Sequence, residues 1–104
     1  MELSFTRRVV EILNRIPEGQ VTSYGIVAGM AGNPRAARQV VRVLHSSSKK
    51  YNLPWHRVIS SRGYIAIKDP AGFEEQKALL AAEGVFADEE GKVKIEGFWI
   101  GYDD

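Results

Sequence analysis

The 104-residue sequence contains no cysteine, and this absence removes several kinds of chemistry. Disulfide cross-links, thiolate nucleophiles and cysteine-rich zinc sites are all excluded for these residues. The two histidines, His45 and His56, are too few and too far apart in the sequence to make a convincing metal set. We therefore predict neither a metal nor any other cofactor.

Long apolar runs are also missing. No stretch approaches the roughly 20 apolar residues that a membrane-spanning helix requires, and the first residues lack the pattern of a signal peptide. We expect no membrane partner and a cytoplasmic location. The sequence has no repeat, low-complexity tract or linker, while 44% of its residues are apolar. It thus predicts one compact domain over residues 1–104. We also expect a monomer.

The net charge of +1 hides an uneven distribution along the chain. Residues 1–62 carry 10 Lys/Arg and 3 Asp/Glu, whereas residues 63–104 carry 4 and 10. A strongly basic half is typical of proteins that orient on a polyanion such as DNA. Alternatively, the two halves neutralise each other across the fold. Charge alone leaves both interpretations open.

The basic half begins with two predicted helices. Apolar residues recur at helical spacing from about residue 4 to residue 16, where Pro17 ends the pattern. Thr22 or Ser23 can cap a short second helix. Gly32 can close that helix by adopting a left-handed conformation.

A third helix is predicted after a turn of about three residues. Asn33 is expected to cap it, with Pro34 in the first helical position, where a missing N–H costs nothing. Two helices joined by a short turn that contains Gly are typical of a helix-turn-helix. The apolar face of the third helix is predicted at Ala37, Val40, Val41 and Leu44. The opposite face carries three arginines at i, i+3 and i+7: Arg35, Arg38 and Arg42.

These three arginines have no carboxylate between them in the sequence. Like charges so close together repel one another unless an anion is bound, so a phosphate backbone is a natural partner. The alternative is a solvated face whose charges serve solubility. The absence of interleaved acidic residues favours DNA.

A small β component is predicted in the middle of the chain. Residues 46–50 are predicted as a polar loop. Residues 58–59 and 64–67, with the turn residues 61–63 between them, predict a β-hairpin. The fold class is therefore mainly α with a small β-hairpin, built as a single helix-turn-helix, winged-helix-like DNA-binding domain.

The acidic half predicts one more helix and a docked tail. Residues 69–72 are predicted as a turn before a helix over residues 73–83, with Gly84 just past its end. Three apolar side chains of this helix are expected to be buried: Phe73, Leu79 and Leu80. A short strand is predicted at Val93 and Ile95. The aromatic segment 98–102 is expected to pack on the body, since exposing it would promote aggregation.

Four motifs resemble those of a known family. In chain order they are residues 16–25 (IPEGQVTSYG), 31–38 (AGNPRAAR), 54–59 (PWHRVI), and the pairs Leu-Leu at 79–80 and Glu-Gly at 83–84. Their order and spacing are similar to those of the DNA-binding domain of O6-alkylguanine-DNA alkyltransferases, across nearly the whole chain. Those enzymes read Pro-Cys-His-Arg-Val at the third motif, and their cysteine removes the alkyl group from guanine. Here that position is Trp55, and the chain resembles the alkyltransferase-like proteins.

This resemblance implies a function without catalysis. Alkyltransferase-like proteins bind O6-alkylguanine in double-stranded DNA, do not repair it, and signal the lesion to nucleotide excision repair proteins. An indole N–H is a hydrogen-bond donor and lacks the nucleophilic lone pair of a thiolate, so Trp55 cannot accept an alkyl group at a useful rate. A lesion on O6 weakens base pairing, which lowers the cost of flipping that nucleotide out of the duplex.

The resemblance also implies roles for individual residues. The helix-turn-helix enters the minor groove, where Arg38 fills the gap left by the flipped nucleotide and Tyr24 lies beside that nucleotide. The lesion pocket is expected to comprise Tyr24, Trp55, His56 and Val58. Contacts with the DNA backbone are expected from Thr22, Ser23, Arg35, Arg42, Lys49 and Lys50. His56 and Glu83 match the enzyme residues that activate the cysteine, and here they are left to hold the loop by hydrogen bonding.

Two departures from the family pattern leave the range of accepted adducts open. Ser47 stands where the enzymes usually have Asn, and residues 66–72 replace their glycine-rich segment. A second function also stays open, that of a sequence-specific transcriptional regulator whose helix-turn-helix reads the major groove. A third is an enzyme in which Glu83 orients His56 as a general base, although no nucleophile, metal or oxyanion donor set accompanies that pair.

Overall fold

Four α-helices and one pair of two-residue strands make up the part of the chain that the computed structural model describes, residues 4–101. In chain order the elements are α1 (Phe5–Leu13), β1 (Thr22–Ser23), α2 (Tyr24–Met30), α3 (Ala37–Tyr51), a 3₁₀ turn (Trp55–Arg57), β2 (Val58–Ile59) and α4 (Pro70–Ala82). The predicted mainly helical fold class is confirmed.

The first two helices begin at hydroxyl caps. The Ser4 side chain accepts a hydrogen bond from the Arg7 amide at the start of α1, and Ser23 does the same for the Ile26 amide in α2. The predicted cap of the second helix is confirmed, as is the left-handed Gly32 that follows it, with φ of 102°. The first helix ends at residue 13, three residues earlier than predicted.

The predicted start of the third helix is wrong. Asn33 does not cap a helix; its Oδ1 accepts a hydrogen bond from the Arg35 amide at 3.1 Å and closes a local turn. α3 begins only at Ala37, so six residues, 31–36, join it to α2. Arg35 therefore lies in this turn, while Arg38 and Arg42 lie on the helix.

The far end of α3 also differs from the prediction. The polar residues 46–50 are not a loop, since the helix continues through them to Tyr51. Serine and lysine are tolerated in helices, and this run holds neither Gly nor Pro. The helix ends at Asn52, which adopts a left-handed conformation with φ of 51°.

The predicted β-hairpin does not form among residues 4–101. Instead, β1 and β2 pair in parallel, with Thr22 opposite Val58 and Ser23 opposite Ile59. Tyr64 forms one antiparallel bridge with Lys92 rather than a ladder with β2. The edge of β2 is thus occupied by a strand that lies 36 residues earlier in the chain.

α4 begins three residues before its predicted start. The Asp69 carboxylate accepts a hydrogen bond from the Gly72 amide at 2.9 Å and caps the helix, so residues 69–72 are not a separate turn. Gly84 follows the helix in a left-handed conformation, as predicted. Leu80 is fully buried, but Leu79 is 36% exposed, so its predicted burial is wrong.

Two hydrophobic clusters form the core. The first joins α1, α2 and α3 with Trp99, and the second joins β2, α4 and residues 85–93. Trp99 is only 4% exposed, which confirms that the aromatic segment docks. Its backbone N–H donates to the Val21 carbonyl, and its carbonyl accepts a hydrogen bond from the Thr22 hydroxyl.

Other parts of the acidic half need smaller corrections. The strand predicted at Val93 is reduced to one antiparallel bridge with Ala87. Tyr102 of the aromatic segment lies outside the described residues. Within residues 4–101, no helix is long and apolar enough to cross a membrane.

Candidate nucleic-acid interface

The 3₁₀ turn that carries Trp55 is held by the helices and loops around it. The Arg57 guanidinium donates to the Ile16 carbonyl at 2.9 Å, and it forms a two-pronged ion pair with the Glu83 carboxylate. The Gln76 amide, fully buried in α4, donates to the carbonyls of His56 and Val58 at 3.0 Å each. These contacts fix the backbone on both sides of the turn.

Glu83 is the centre of this network. Besides Arg57, it accepts a hydrogen bond from the Gly19 amide at 2.8 Å, and its Oε2 lies 2.6 Å from His56 Nε2. Burial alone would raise the pKa of Glu83, but the bonds from Arg57, Gly19 and His56 outweigh burial and lower the pKa to about 2. The carboxylate is therefore ionised at every physiological pH, and it holds both flanks of the turn.

A cavity of about 600 Å³ opens beside the Trp55 turn. Its apolar walls come from six residues: Tyr24, Val41, Leu44, Trp55, Ala66 and Ile67. Polar side chains also line it: His45, Ser48, Lys68 and Asp69. This volume lies in the range of small-molecule pockets, and two aromatic side chains suit a flat, apolar-faced ligand such as a nucleobase.

Tyr24 reaches the cavity from the first residue of α2. Its side chain is half-buried and packs against the first core cluster, so the ring has limited freedom to move. Burial raises the pKa of its hydroxyl above the ordinary value. The phenol therefore stays neutral and keeps its proton for hydrogen bonding.

α3 presents three faces rather than the two predicted. Its core face is formed by Val40, Val43 and Ser47, which are buried. A second face lines the cavity at i, i+3, i+4 and i+7: Val41, Leu44, His45 and Ser48. Val41, predicted to lie in the core, is 37% exposed because its side chain belongs to this second face. Helical spacing alone groups these four residues on one side of the helix but does not show that this side meets a cavity.

The third face of α3 is basic and open to solvent. Arg38, Arg42 and Lys49 are exposed on one stripe of the helix, next to the cavity face. Arg35 is exposed in the preceding turn. Among residues 4–101, none of these four forms an ion pair. Lys50 is also exposed, and its Nζ lies 5.2 Å from the centre of the Tyr51 ring.

Four of the predicted site residues lie elsewhere. Val58 has no exposed surface and belongs to the core, so it does not line the cavity. The Thr22 hydroxyl donates to the Trp99 carbonyl and the Ser23 hydroxyl accepts from the Ile26 amide. Both side chains are buried, so neither is accessible to a phosphate. The His56 ring is directed at Glu83 instead of the cavity.

Comparison with known proteins finds relatives that bind DNA. Residues 4–85 match the family described as the DNA-binding domain of 6-O-methylguanine DNA methyltransferase. A DNA base-flipping protein of Escherichia coli is 44% identical over 97% of this chain and 78% of its own length. Alkyltransferase-like protein 1 of Schizosaccharomyces pombe is 42% identical over 78% of this chain and 76% of its own length.

A solved structure extends the likeness to three dimensions. The alkyltransferase-like protein of S. pombe, crystallised with damaged DNA containing O6-carboxymethylguanine, aligns with a TM-score of 0.78 at 36% identity. The alignment covers 95% of this chain and 98% of that one. From its sequence and its fold alike, this chain belongs to the family of the 6-O-methylguanine DNA methyltransferase DNA-binding domain, and it is similar to that family's base-flipping and alkyltransferase-like members.

Proposed function

We propose that this chain recognises O6-alkylguanine in duplex DNA by flipping the damaged nucleotide into the cavity beside Trp55, and that it performs no alkyl transfer. The observation that carries this proposal is the position of the cavity. It lies between the Trp55 turn and α3, directly beside the exposed arginines of that helix. A pocket that suits a nucleobase, next to a cationic helix, fits a protein that holds a flipped nucleotide while its arginines bind the DNA backbone.

The aromatic walls of the cavity are proposed to stabilise the flipped base by stacking. Stacking of a base on an aromatic ring contributes about 1–3 kcal/mol, and both Tyr24 and Trp55 offer rings there. Arg38 lies about one helical turn before Val41, which lines the cavity, and this suits a side chain that fills the gap left in the duplex. Arg35, Arg42, Lys49 and Lys50 are proposed to contact phosphates.

The lack of alkyl transfer follows from side-chain chemistry. None of the 104 residues is a cysteine. We propose that Trp55, in the motif that resembles the enzymes' Pro-Cys-His-Arg-Val, occupies the position of their acceptor. The relatives named above as base-flipping and alkyltransferase-like proteins support this reading. In the solved complex of the S. pombe relative, the DNA contains an O6-alkylated guanine, which supports the same lesion class for this chain.

A paired fluorescence titration tests lesion recognition. In a Trp99→Phe variant the only tryptophan is Trp55, and its emission reports on the cavity. Duplex DNA with one O6-methylguanine is expected to quench this emission at concentrations at least tenfold lower than the same undamaged duplex. Superimposable titration curves would refute the proposal. Mass spectrometry of the protein after incubation is expected to show no added methyl group.

Because the lesion stays on the DNA after binding, we further propose that the bound complex signals to nucleotide excision repair proteins. In a reconstituted excision reaction on O6-alkylguanine duplexes, adding this protein is expected to raise the yield of excised oligonucleotide. An unchanged yield at saturating protein would argue against this step. The cytoplasmic location and the monomeric state stay predictions.

A further inference from the structure

Three consecutive serines near the end of α3 differ in what their hydroxyls do. The Ser46 hydroxyl donates to the Arg42 carbonyl at 2.9 Å, the ordinary bond of a serine inside a helix. The Ser47 side chain is buried, and its Oγ lies 3.3 Å from Ser46 Oγ. Ser48 Oγ is shielded from water and has no hydrogen-bond partner among residues 4–101, although Ser48 itself lines the cavity.

An unpaired, shielded hydroxyl is unfavourable for the free protein, because it has given up its bonds to water and gained none in return. Native structures seldom keep such groups without a reason. Serine has three staggered χ1 rotamers, so one rotation redirects the Ser48 hydroxyl. A ligand in the cavity that offers a polar atom would then supply the missing partner.

Ser48 lies at the Trp55 end of the cavity. Its carbonyl accepts a hydrogen bond from the Leu53 amide at 2.9 Å, and the Trp55 amide donates to the Leu53 carbonyl at 2.8 Å. Arg38, near the start of α3, is ten residues and about 15 Å away from Ser48 along the helix axis. In a flipped guanine, O6 lies on the edge that points away from the sugar. A nucleotide that enters the cavity from the Arg38 end of α3, as in the proposed function, would therefore turn its O6 substituent toward Ser48.

From this geometry we infer that Ser48 is a specificity-determining residue whose hydroxyl hydrogen-bonds the O6 substituent, so that the cavity prefers adducts with a polar end over apolar adducts of the same size. The inference rests on the proposed function. It deepens that function by naming the adduct class, alkyl chains that carry a hydroxyl or another hydrogen-bonding atom at their tip.

Two nearly isosteric lesions test the inference. Duplexes containing O6-(2-hydroxyethyl)guanine or O6-propylguanine differ only by an OH in place of a CH₃ at the tip of the substituent. The wild-type chain is expected to bind the hydroxyethyl lesion more tightly, and Ser48→Ala to reduce this preference about three- to tenfold. Affinity for the propyl lesion is expected to stay nearly unchanged.

Ser46→Ala is the matched control, since it removes a neighbouring hydroxyl of the same helix that bonds the backbone and does not line the cavity. It should leave the ratio of the two affinities unaltered. Thermal unfolding of the free protein gives a second measurement. Ser48→Ala is expected to raise Tm by a few degrees, because it deletes an unpaired polar group and adds a better helix former.

The outcomes separate the inference from the function on which it rests. If both lesions bind no better than undamaged DNA, the proposed function is wrong. If both lesions are preferred over undamaged DNA but Ser48→Ala leaves their ratio unchanged, or Ser46→Ala alters it equally, the role of Ser48 is refuted. A lower Tm for Ser48→Ala would show that its hydroxyl has a structural partner, which also refutes the inference.

Discussion

Glu83 joins segments of the chain that are far apart in sequence. One carboxylate accepts hydrogen bonds from the Gly19 amide and the Arg57 guanidinium and lies beside the His56 ring. Its side chain is only 10% exposed, so the interactions are poorly screened by solvent. His56 and Glu83 match, by the resemblance, the pair that activates the cysteine of the enzymes. Here the contacts of Glu83 fix the turn whose first residue is Trp55.

Replacing this carboxylate has a predictable effect on stability. Glu83→Gln keeps the shape but removes the charge that Arg57 requires, and we expect the free energy of unfolding at pH 7 to fall by about 2–4 kcal/mol. The pKa of Glu83 is lowered to about 2 from an ordinary value of 4.5, so the stabilisation is complete above pH 4.5. It is lost as the pH falls from 4.5 toward 2. Urea unfolding at several pH values measures this difference.

Glu75→Gln is the matched control for this prediction. Glu75 lies on the same helix, α4, but is exposed to solvent. Its substitution is expected to change the unfolding free energy by less than about 0.5 kcal/mol at any pH. If the gap between wild type and Glu83→Gln stayed constant from pH 7 to pH 2, the carboxylate would not be the ionised centre of the network.

Among the secondary-structure elements, α3 combines three tasks. One face closes the first core cluster, a second lines the cavity, and a third presents cations to solvent. The cavity face lies between the other two around the helix axis. A nucleotide held in the cavity therefore has core packing on one side and phosphate-binding side chains on the other.

Two arginines of α3 are expected to behave differently when they are removed. Arg38→Ala should lower the ratio of affinities for O6-methylguanine and undamaged duplexes, because the proposed gap-filling contact exists only when a nucleotide is flipped. Arg42→Ala should weaken binding to both duplexes about equally. It should also reduce the slope of log affinity against log salt by about 0.9, the value for one phosphate contact. Titrations of both duplexes at four salt concentrations measure these quantities.

The two variants serve as controls for each other, since both remove an exposed arginine from the same helix. An unchanged affinity ratio in Arg38→Ala would contradict its proposed position in the duplex. A selection from random undamaged duplexes that returned a strong consensus site would favour the alternative of a transcriptional regulator.

The same helix shows how far sequence reasoning reaches. Local signals predicted a cap at Thr22 or Ser23, of which Ser23 is the cap observed, together with the left-handed Gly32 and the helical spacing within α3. They failed at residues 46–50, because polar composition was taken to indicate a loop although nothing in that run breaks a helix. Val41 was assigned to the core because periodicity cannot distinguish a face buried against protein from a face that lines a cavity.

Long-range pairing was beyond local signals altogether. The predicted hairpin assumed that β2 pairs with its nearest neighbour in sequence, whereas its partner is β1. The resemblance to a known family supplied Tyr24 and Trp55, both of which line the cavity, but it gave no indication of Ser48 or Val41. Those two positions emerge only when the helix is seen against the Trp55 turn.

Over the whole molecule, the two core clusters meet at the strand pair. Val58 belongs to the first cluster and the adjacent Ile59 to the second. Val21, in the second cluster, accepts a hydrogen bond from the backbone of Trp99, in the first. Because the clusters share these backbone contacts, loosening either one loosens the other. The basic α3, which packs in the first cluster, is thereby coupled to the more acidic C-terminal half of the chain, which packs in the second.

This coupling predicts that the described part of the chain unfolds in a single transition. Trp99 is expected to contribute strongly to the free energy of unfolding. Trp99→Ala leaves a large void and is expected to lower the free energy of unfolding by about 3–5 kcal/mol. Trp99→Phe should cost only about 1–2 kcal/mol, because the ring is largely kept and the indole N–H has no partner among residues 4–101. In both variants Trp55 is the only tryptophan, so its fluorescence and far-UV circular dichroism can be compared during urea unfolding. The two transitions are expected to coincide, because the two clusters are coupled. Two separate midpoints would mean that the clusters unfold independently. Equal costs for the two substitutions would mean that Trp99 does not fill the core.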